Sequence, residues 1–215
     1  MAPLLFNVYV NDIVQVLECD SLMYADDLKI FNVINSCDDC YMLQNSLDNL
    51  YQWCASNDLQ LNIAKCNVVT SSRLHNPIIY NYKIDTEAIT RKTCVDDLGI
   101  TFDSRLDFNS HVDNLVVRSS GMLGFVFRTC GSFTDITTLK IYFSLIRSRL
   151  EYCSLVWFPY YIHQKLSTEK IQRKFLKMLF FKTYHKWLLR NCSQRELLDE
   201  FGIESIQSRR ISSVV

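Results

Sequence analysis

The first part of the chain alternates between helical and strand-like patterns of apolar residues. Residues 4–17 carry apolar side chains at helical spacing, which predicts a helix at the start of the chain. Two β-like runs follow at 21–25 and 28–33, and only Asp26 and Asp27 lie between them. Two strand patterns joined by two residues predict a β-hairpin with both aspartates in its turn.

A long amphipathic helix is predicted directly after the hairpin. Ser36 and Asp39 have the spacing of a capping box, in which each side chain bonds the backbone N–H of the other residue. Apolar residues then recur on one helical face, at Leu43, Leu47, Leu50 and Cys54. The pattern predicts a helix from about 37 to 56.

Short β-branched or alternating runs dominate the next forty residues. They predict strands separated by polar turns, at 59–63, 68–70, 78–84 and 95–102. These strands are expected to be small and antiparallel.

Helical periodicity dominates from about residue 110 onward. Apolar stripes predict three helices, covering 112–127, 136–150 and 165–181. Ser193 and Glu196 form a second capping box, and Gly202 marks the end of that short helix. The patterns therefore predict an α+β fold, with a mixed region at 1–108 followed by a helical region at 109–215.

The composition is that of a chain that folds. Among 215 residues, 48% are apolar and only 5 are Gly and 3 are Pro, which excludes disordered and collagen-like classes. The longest apolar run, 155–162, is far below the ~18 residues that span a bilayer, so no membrane partner is expected. The N-terminus has no secretory signal pattern, so the chain is not expected to be secreted.

The nine cysteines are scattered and odd in number, which is typical of reduced thiols in an intracellular protein. Cys37 and Cys40 form one C-x-x-C pair. A structural zinc site needs a second pair, and no Cys or His pair follows at finger spacing. The pair is therefore interpreted as two thiols one turn apart at the start of a helix, with zinc binding the less favoured alternative.

The net charge is zero but the charges are unevenly distributed. Residues 1–113 contain 7 basic and 16 acidic residues, a net charge of −9, whereas residues 114–215 contain 16 and 7, a net charge of +9. Such asymmetry suggests an acidic region that can hold cations and a basic region that can face a polyanion.

Asp26 and Asp27 are the first candidates for chemistry. Neighbouring residues within a strand point to opposite faces, but at a two-residue turn both carboxylates can approach one ion. Mg²⁺ prefers oxygen ligands and completes its shell with waters and substrate phosphates. Asp is also a common turn residue, so a plain hairpin turn remains the alternative at this point.

The sequence around the two aspartates, from Leu22 to Phe31, resembles the Y-x-D-D box of reverse transcriptases. The box itself is Tyr24, Ala25, Asp26 and Asp27. Further blocks stand in the order typical of the non-LTR retrotransposon type, the jockey-like group in particular. They are a preceding helix block at 3–12, a helix-to-strand block at 53–66, a block at 97–103, and the region after the polymerase core at 147–157 and 171–176.

The resemblance implies a role for each matching residue. Asp26 corresponds to a direct ligand of the catalytic metals, Asp27 to a supporting carboxylate, and Tyr24 to a residue near the nucleotide or primer end. Lys65 matches the lysine of the N-x-x-K block near the incoming phosphates, where it could donate a proton to pyrophosphate. An exposed strand-end lysine is the alternative for Lys65. The implied activity is two-metal nucleotidyl transfer with Mg²⁺.

The resemblance also implies which parts of the polymerase this chain contains. Residues 1–108 correspond to a partial reverse-transcriptase palm, and residues 109–215 to a helical, thumb-like region. A third metal-binding aspartate and the fingers belong upstream of the block at 3–12. We therefore expect the C-terminal portion of an RNA-directed DNA polymerase, inactive alone. A non-catalytic nucleic-acid-binding remnant of a decayed mobile element is the alternative.

The implied partners are an RNA template, a DNA primer and deoxynucleoside triphosphates, in the cytoplasm and nucleus, with no cofactor beyond the metal. The predicted helix at 165–181 has a basic face that suits phosphate contacts along such a duplex. The face carries Lys170, Arg173, Lys174 and Lys177. An ordinary solvated face, and a membrane-surface or calmodulin-type helix, are the alternatives. Trp53, Trp157 and Trp187 are expected to be packing residues.

Overall fold

The computed structural model describes residues 2–159, 161–186 and 193–212. The chain divides into two compact units, Met1–Val95 and Asp96–Val215. This division follows packing within the chain. The division at 108 in the sequence analysis concerns the palm and thumb regions of the family, and it stays a prediction.

The predicted N-terminal helix is interrupted. Helix α1 covers Ala2–Tyr9, and a separate 3₁₀ turn covers Ile13–Val16. The prediction of one helix over 4–17 is therefore wrong at Asn11 and Asp12, because these side chains compete with the backbone for hydrogen bonds and disfavour a helix interior. After the break, the Ile13 side chain is buried in the core, whereas most of the apolar surface of α1 is exposed.

The predicted β-hairpin is confirmed, with a shift of one residue in its turn. Strand β1 covers Asp20–Tyr24 and pairs antiparallel with β2, Asp27–Phe31. Ala25 and Asp26 form the turn, so the placement of both aspartates in the turn is wrong and Asp27 opens β2. The observed register sets Met23 opposite Leu28, two large apolar side chains on the core side. The predicted turn would have set the smaller Ala25 opposite Leu28.

Helix α2, Cys37–Ser56, confirms the predicted helix and its capping box. The Ser36 hydroxyl accepts the Asp39 N–H, and the Asp39 carboxylate accepts the Ser36 N–H at 2.8 Å. Residues from α2, the 3₁₀ turn and the hairpin form the first core cluster. Its members are Ile13, Leu50 and Cys54, with Leu17, Met23, Leu28, Ile30, Trp53, Leu59 and Leu61 packed against them.

The strands predicted after α2 are shorter than expected. The strand predicted at 59–63 is wrong: this segment runs without a ladder partner into a 3₁₀ turn at Ile63–Lys65. Four two-residue strands follow, in two pairs: β3 (Asn67–Val68), β4 (Lys83–Ile84), β5 (Glu87–Ala88) and β6 (Thr90–Arg91). β4 and β5 pair antiparallel, but β3 and β6 pair parallel, so the expectation of antiparallel strands alone is also wrong.

The predicted strand at 95–102 is a tight hairpin. Its strands are β7, Cys94–Asp97, and β8, Ile100–Asp103. Leu98 and Gly99 lie between them with φ of 46° and 82°. Positive φ at both turn residues is the pattern of a type I′ turn, which suits the twist of paired strands.

Helix α3, Asn109–Thr129, confirms the stripe predicted at 112–127. Val112 packs with Ile100 of β8 and with Trp157 in a small cluster. His111 is buried beside them, and its Nδ1 accepts the Thr101 N–H at 3.2 Å. These contacts hold β8 against α3 within the second unit.

The stripe predicted at 136–150 does not belong to one regular helix. Helix α4 covers Asp135–Tyr142, a π-helical turn covers Phe143–Arg147, and α5 covers Ser148–Glu151. Tyr142, Ile146 and Leu150 are buried, whereas Ile136 is 68% exposed. Ile136 precedes Tyr142 by six residues of regular helix, which puts the two side chains on different sides of α4.

Helix α6 covers Ser154–Trp157, α7 covers Ile162–Tyr184, α8 covers Gln194–Glu200 and α9 covers Ile206–Ser212. The capping box of α8 and the left-handed Gly202 after it are confirmed. The main core of this unit is formed by residues of α3, α4, the π turn, α5, α7, α8 and α9.

The architecture is a mixture of helices and small sheets, which agrees with the predicted α+β class at that level. Trp157 is buried and Trp53 packs against the first cluster, as predicted, whereas Trp187 and Cys192 lie outside the described residues. None of the helices in the described ranges combines the length and apolar character needed to cross a bilayer.

Candidate functional site

The tip of the β1–β2 hairpin presents its polar side chains to solvent. Asp26 and Asp27 are both exposed, and Tyr24, which pairs with Asp27 across the ladder, is 68% exposed. Tyr24 and Asp27 share a sheet face because directly paired residues project to the same side. The hairpin therefore brings these three predicted residues together at one exposed end.

The turn has a conformation that its sequence does not favour. Ala25 has φ of 53°, in the left-handed region that residues with a Cβ atom normally avoid. Asp26, the second turn residue, is not among the residues with positive φ, so the unfavourable conformation falls on Ala25. The tip is thus a strained turn held by its flanking strands.

The hairpin is fixed to α2 through its core-facing side and through its entry. Met23, Leu28 and Ile30 pack into the first core cluster. The buried Ser46 hydroxyl of α2 accepts two backbone N–H groups just before β1, from Glu18 at 3.0 Å and Cys19 at 3.1 Å. These contacts hold the position of β1, and with it the tip.

The donor set at the tip consists of carboxylate oxygens, which are the ligands that Mg²⁺ prefers. Asp26 and Asp27 therefore fit a magnesium ion by chemistry and by exposure to solvent. Within the described part of the chain, no cluster of three or more Asp, Glu, His or Cys side chains is arranged to hold a metal. The two aspartates can thus supply part of a coordination shell, with the rest coming from other oxygen ligands.

Lys65 lies at the end of the 3₁₀ turn at Ile63–Lys65 and is exposed. The segment leading to it is connected to the hairpin, because Leu59 and Leu61 pack in the same cluster as Met23. An exposed ammonium group on this segment can reach solvent-borne phosphates, but its placement beside them stays a prediction.

Helix α7 has the predicted basic and apolar faces. Lys170, Lys174 and Lys177 are exposed, whereas Arg173 is half-buried. On the opposite side Ile171, Phe175 and Leu179 are buried in the core, and Met178 packs against it. The helix therefore offers a row of three solvated ammonium groups on a rigid, well-packed support.

Two positioning residues were not predicted from the sequence. Ser46 holds the entry to β1, and its contacts lie 27 and 28 residues away along the chain. Lys182, at the end of α7, turns inward instead of joining the basic row, and its Nζ donates to the Cys130 carbonyl at 2.7 Å and to the Thr138 hydroxyl at 2.8 Å. The only sequence signal for Lys182 is its spacing of five residues from Lys177, about 140° around the helix.

Comparison with protein families and with known proteins gives one match. The family model for reverse transcriptase (RNA-dependent DNA polymerase) matches residues 1–119, which is more than half of the chain and includes the hairpin and Lys65. Neither the curated proteins nor the solved structures gave a match. On the strength of the family match over these residues, the chain belongs to the reverse transcriptase family.

Proposed function

We propose that the chain contributes the metal-binding hairpin to an RNA-directed DNA polymerase of a non-LTR retrotransposon, of the jockey-like group. The observation that carries the proposal is the coincidence of the family match with an exposed hairpin tip bearing Asp26 and Asp27. The order of the sequence blocks at 3–12, 53–66 and 97–103 supports the non-LTR type.

In this proposal Asp26 binds Mg²⁺ directly and Asp27 supports the site from the first position of β2. When bound, magnesium supplies Lewis-acid stabilisation of the phosphoryl oxygens during nucleotidyl transfer, in a two-metal arrangement. The chain contributes a rigid hairpin, which is packed on its inner side and anchored by Ser46. The carboxylates therefore need little reorganisation to bind the ions.

Tyr24 and Lys65 are assigned to the substrates. The exposed Tyr24 ring lies on the same face as Asp27 and suits contact with the nucleotide or primer end. Lys65 is proposed to approach the phosphates of a deoxynucleoside triphosphate, where its ammonium group can balance charge and donate a proton to the leaving pyrophosphate.

The basic face of α7 is proposed to hold the RNA template and DNA primer. It carries Lys170, Arg173, Lys174 and Lys177, and it lies outside the residues matched by the family model. Lysines along one helix face contact phosphates without reading sequence, as a polymerase requires. We place this function in the cytoplasm and nucleus, in keeping with the free cysteines among the described residues.

We further propose that this chain does not polymerise DNA alone. Two carboxylates supply only part of a two-metal site, and the described residues contain no larger group of potential ligands around them. The second candidate function is a non-catalytic nucleic-acid-binding remnant of a mobile element. The exposed lysine row on α7 favours it, because phosphate binding needs no metal site.

The test uses the purified full chain with a primed RNA template, Mg²⁺ and nucleotides. We expect salt-sensitive binding of the primer–template and no primer extension above background. Asp26→Asn is compared with Asp85→Asn, which alters an exposed turn aspartate in the β4–β5 hairpin. Primer extension that is lost in Asp26→Asn but kept in Asp85→Asn would establish polymerase activity and refute the proposal that the chain is inactive alone. Failure to bind the primer–template at low salt would refute both candidate functions.

A further inference from the structure

A continuous exposed stripe runs along the whole length of α7. Its residues recur at intervals of three or four, so they lie in one line on the helix. They are His163, Leu166, Lys170, Lys174, Lys177 and Phe181, and all of them are exposed. At 1.5 Å per residue this line, which we call the α7 stripe, is about 27 Å long.

The centre of the α7 stripe is cationic and lacks acidic neighbours within it. Lys170, Lys174 and Lys177 have no ion-pair partner in the described ranges of the chain. The carboxylate of Glu169 lies on a different side of the helix, where it accepts from Gln194 Nε2 at 2.6 Å and from the Gln207 N–H at 3.0 Å. The three ammonium groups are therefore available to a polyanion.

An aromatic pair stands at the N-terminal end of the α7 stripe. The ring of Tyr161, the residue before α7, stacks on the His163 ring with centroids 5.6 Å apart and an angle of 26° between planes. Both residues are exposed. Flat side chains beside a row of cations are the combination with which proteins bind single-stranded nucleic acid, because bases stack on the rings while phosphates meet the cations.

We propose that the α7 stripe binds the single-stranded extension of a nucleic acid, with an unpaired base on the Tyr161–His163 pair and the backbone along the three lysines. This inference rests on the proposed function of α7. It adds a preference for unpaired bases, which the lysines alone do not specify. Bases inside a duplex are covered by their neighbours, whereas an unpaired base can expose both of its faces to the rings. About 10 Å separates His163 from Lys170 along the helix, which is about three stacked nucleotides.

The proposal is tested with the full chain by fluorescence polarisation at fixed salt. The probes are a blunt RNA–DNA hybrid and the same hybrid with a single-stranded RNA extension. We expect tighter binding of the extended probe. Replacing both rings, Tyr161→Ala with His163→Ala, should weaken that binding about fivefold or more and leave the blunt probe unchanged. Phe133→Ala, which removes an exposed aromatic ring elsewhere in the same unit, is the matched control.

The outcomes separate this inference from the function on which it rests. Replacing all three lysines by Gln should weaken binding of both probes. If it weakens neither, the assignment of α7 to nucleic acid fails. If the lysine variant weakens both probes but the ring variant weakens neither, only the present inference fails. His163→Gln preserves a polar helical residue and repeats the test if the double variant unfolds. The present inference would also be overturned if the chain bound anionic phospholipid vesicles through Leu166 and Phe181 and showed no preference for the extended probe.

Discussion

Removal of the Ser46 hydroxyl should loosen the hairpin that carries Asp26 and Asp27. Ser46 is fully buried in α2 and accepts the N–H groups of Glu18 and Cys19. In Ser46→Ala both donors lose their partner, and the methyl group that remains cannot replace it. The change is distant from the tip, so it tests the positioning of the hairpin without altering the carboxylates.

The expected magnitude follows from the two lost hydrogen bonds. A buried donor left without a partner costs about 1–3 kcal/mol, and the lower part of that range applies because both groups are only partly buried and water can reach them. The free energy of unfolding of the first unit should therefore fall by about 2–3 kcal/mol.

Urea unfolding of the full chain, combined with hydrogen exchange, measures this loss. Amides from Cys19 to Tyr24 should exchange faster in Ser46→Ala, while those of α7 should be unaffected. Ser56→Ala is the control, because the Ser56 hydroxyl is exposed and, within the described ranges, donates only to the Gln52 carbonyl one turn away. A loss below about 0.5 kcal/mol in Ser46→Ala, the range of ordinary surface substitutions, would refute the anchoring role.

Three further predictions concern protonation, backbone strain and charge. Burial, the largest cause, lowers the pKa of the His111 imidazole below its usual value of 6.5, so the unfolded chain binds more protons at this residue. The free energy of unfolding should therefore be highest above pH 6.5 and fall as the pH drops below it, and His111→Gln should flatten that fall in urea titrations between pH 7 and 5. Ala25→Gly relieves a left-handed φ of 53° and should stabilise the hairpin by about 0.5–1 kcal/mol in hydrogen exchange, whereas Ala88→Gly in β5 should not stabilise. In a plot of the logarithm of the duplex binding constant against the logarithm of the salt concentration, changing the three lysines of the α7 stripe to Gln should make the slope shallower by about 2.7 if each lysine contacts a phosphate. A slope equal to that of the unaltered chain would exclude those contacts.

The elements that the sequence predicts correctly are those with local signals. The capping boxes at Ser36 and Ser193 and the apolar stripe of α2 depend on residues three or four positions apart. The hairpin was predicted for the same reason, but its register was not. Turns at Ala25–Asp26 and at Asp26–Asp27 both keep Met23 and Leu28 on one face, and only packing against the core distinguishes the two registers.

The incorrect predictions concern contacts between residues that are distant in sequence, or backbone conformations that no particular residue type marks. The 59–63 run alternates like a strand but finds no ladder partner, while Asn67–Val68 pairs in parallel with residues more than twenty positions later. The π turn at Phe143–Arg147 interrupts the α-helix without any Gly or Pro to mark it. The same distinction applies to the site: the exposed Asp26 follows from turn chemistry, but the position of Asp27 in β2 and the anchoring by Ser46 do not.

Paramagnetic broadening by Mn²⁺ tests most directly whether the hairpin tip is a metal site. Mn²⁺ also prefers carboxylate oxygens and can stand in for Mg²⁺. In amide NMR spectra of the full chain, small additions of Mn²⁺ should broaden the signals of Ala25 to Leu28 first. The Asp26→Asn, Asp27→Asn double variant should lose this effect, and Asp85→Asn should retain it. Equal broadening at the Asp85 turn, or broadening at the tip that survives the double variant, would contradict the assignment of the two aspartates to metal.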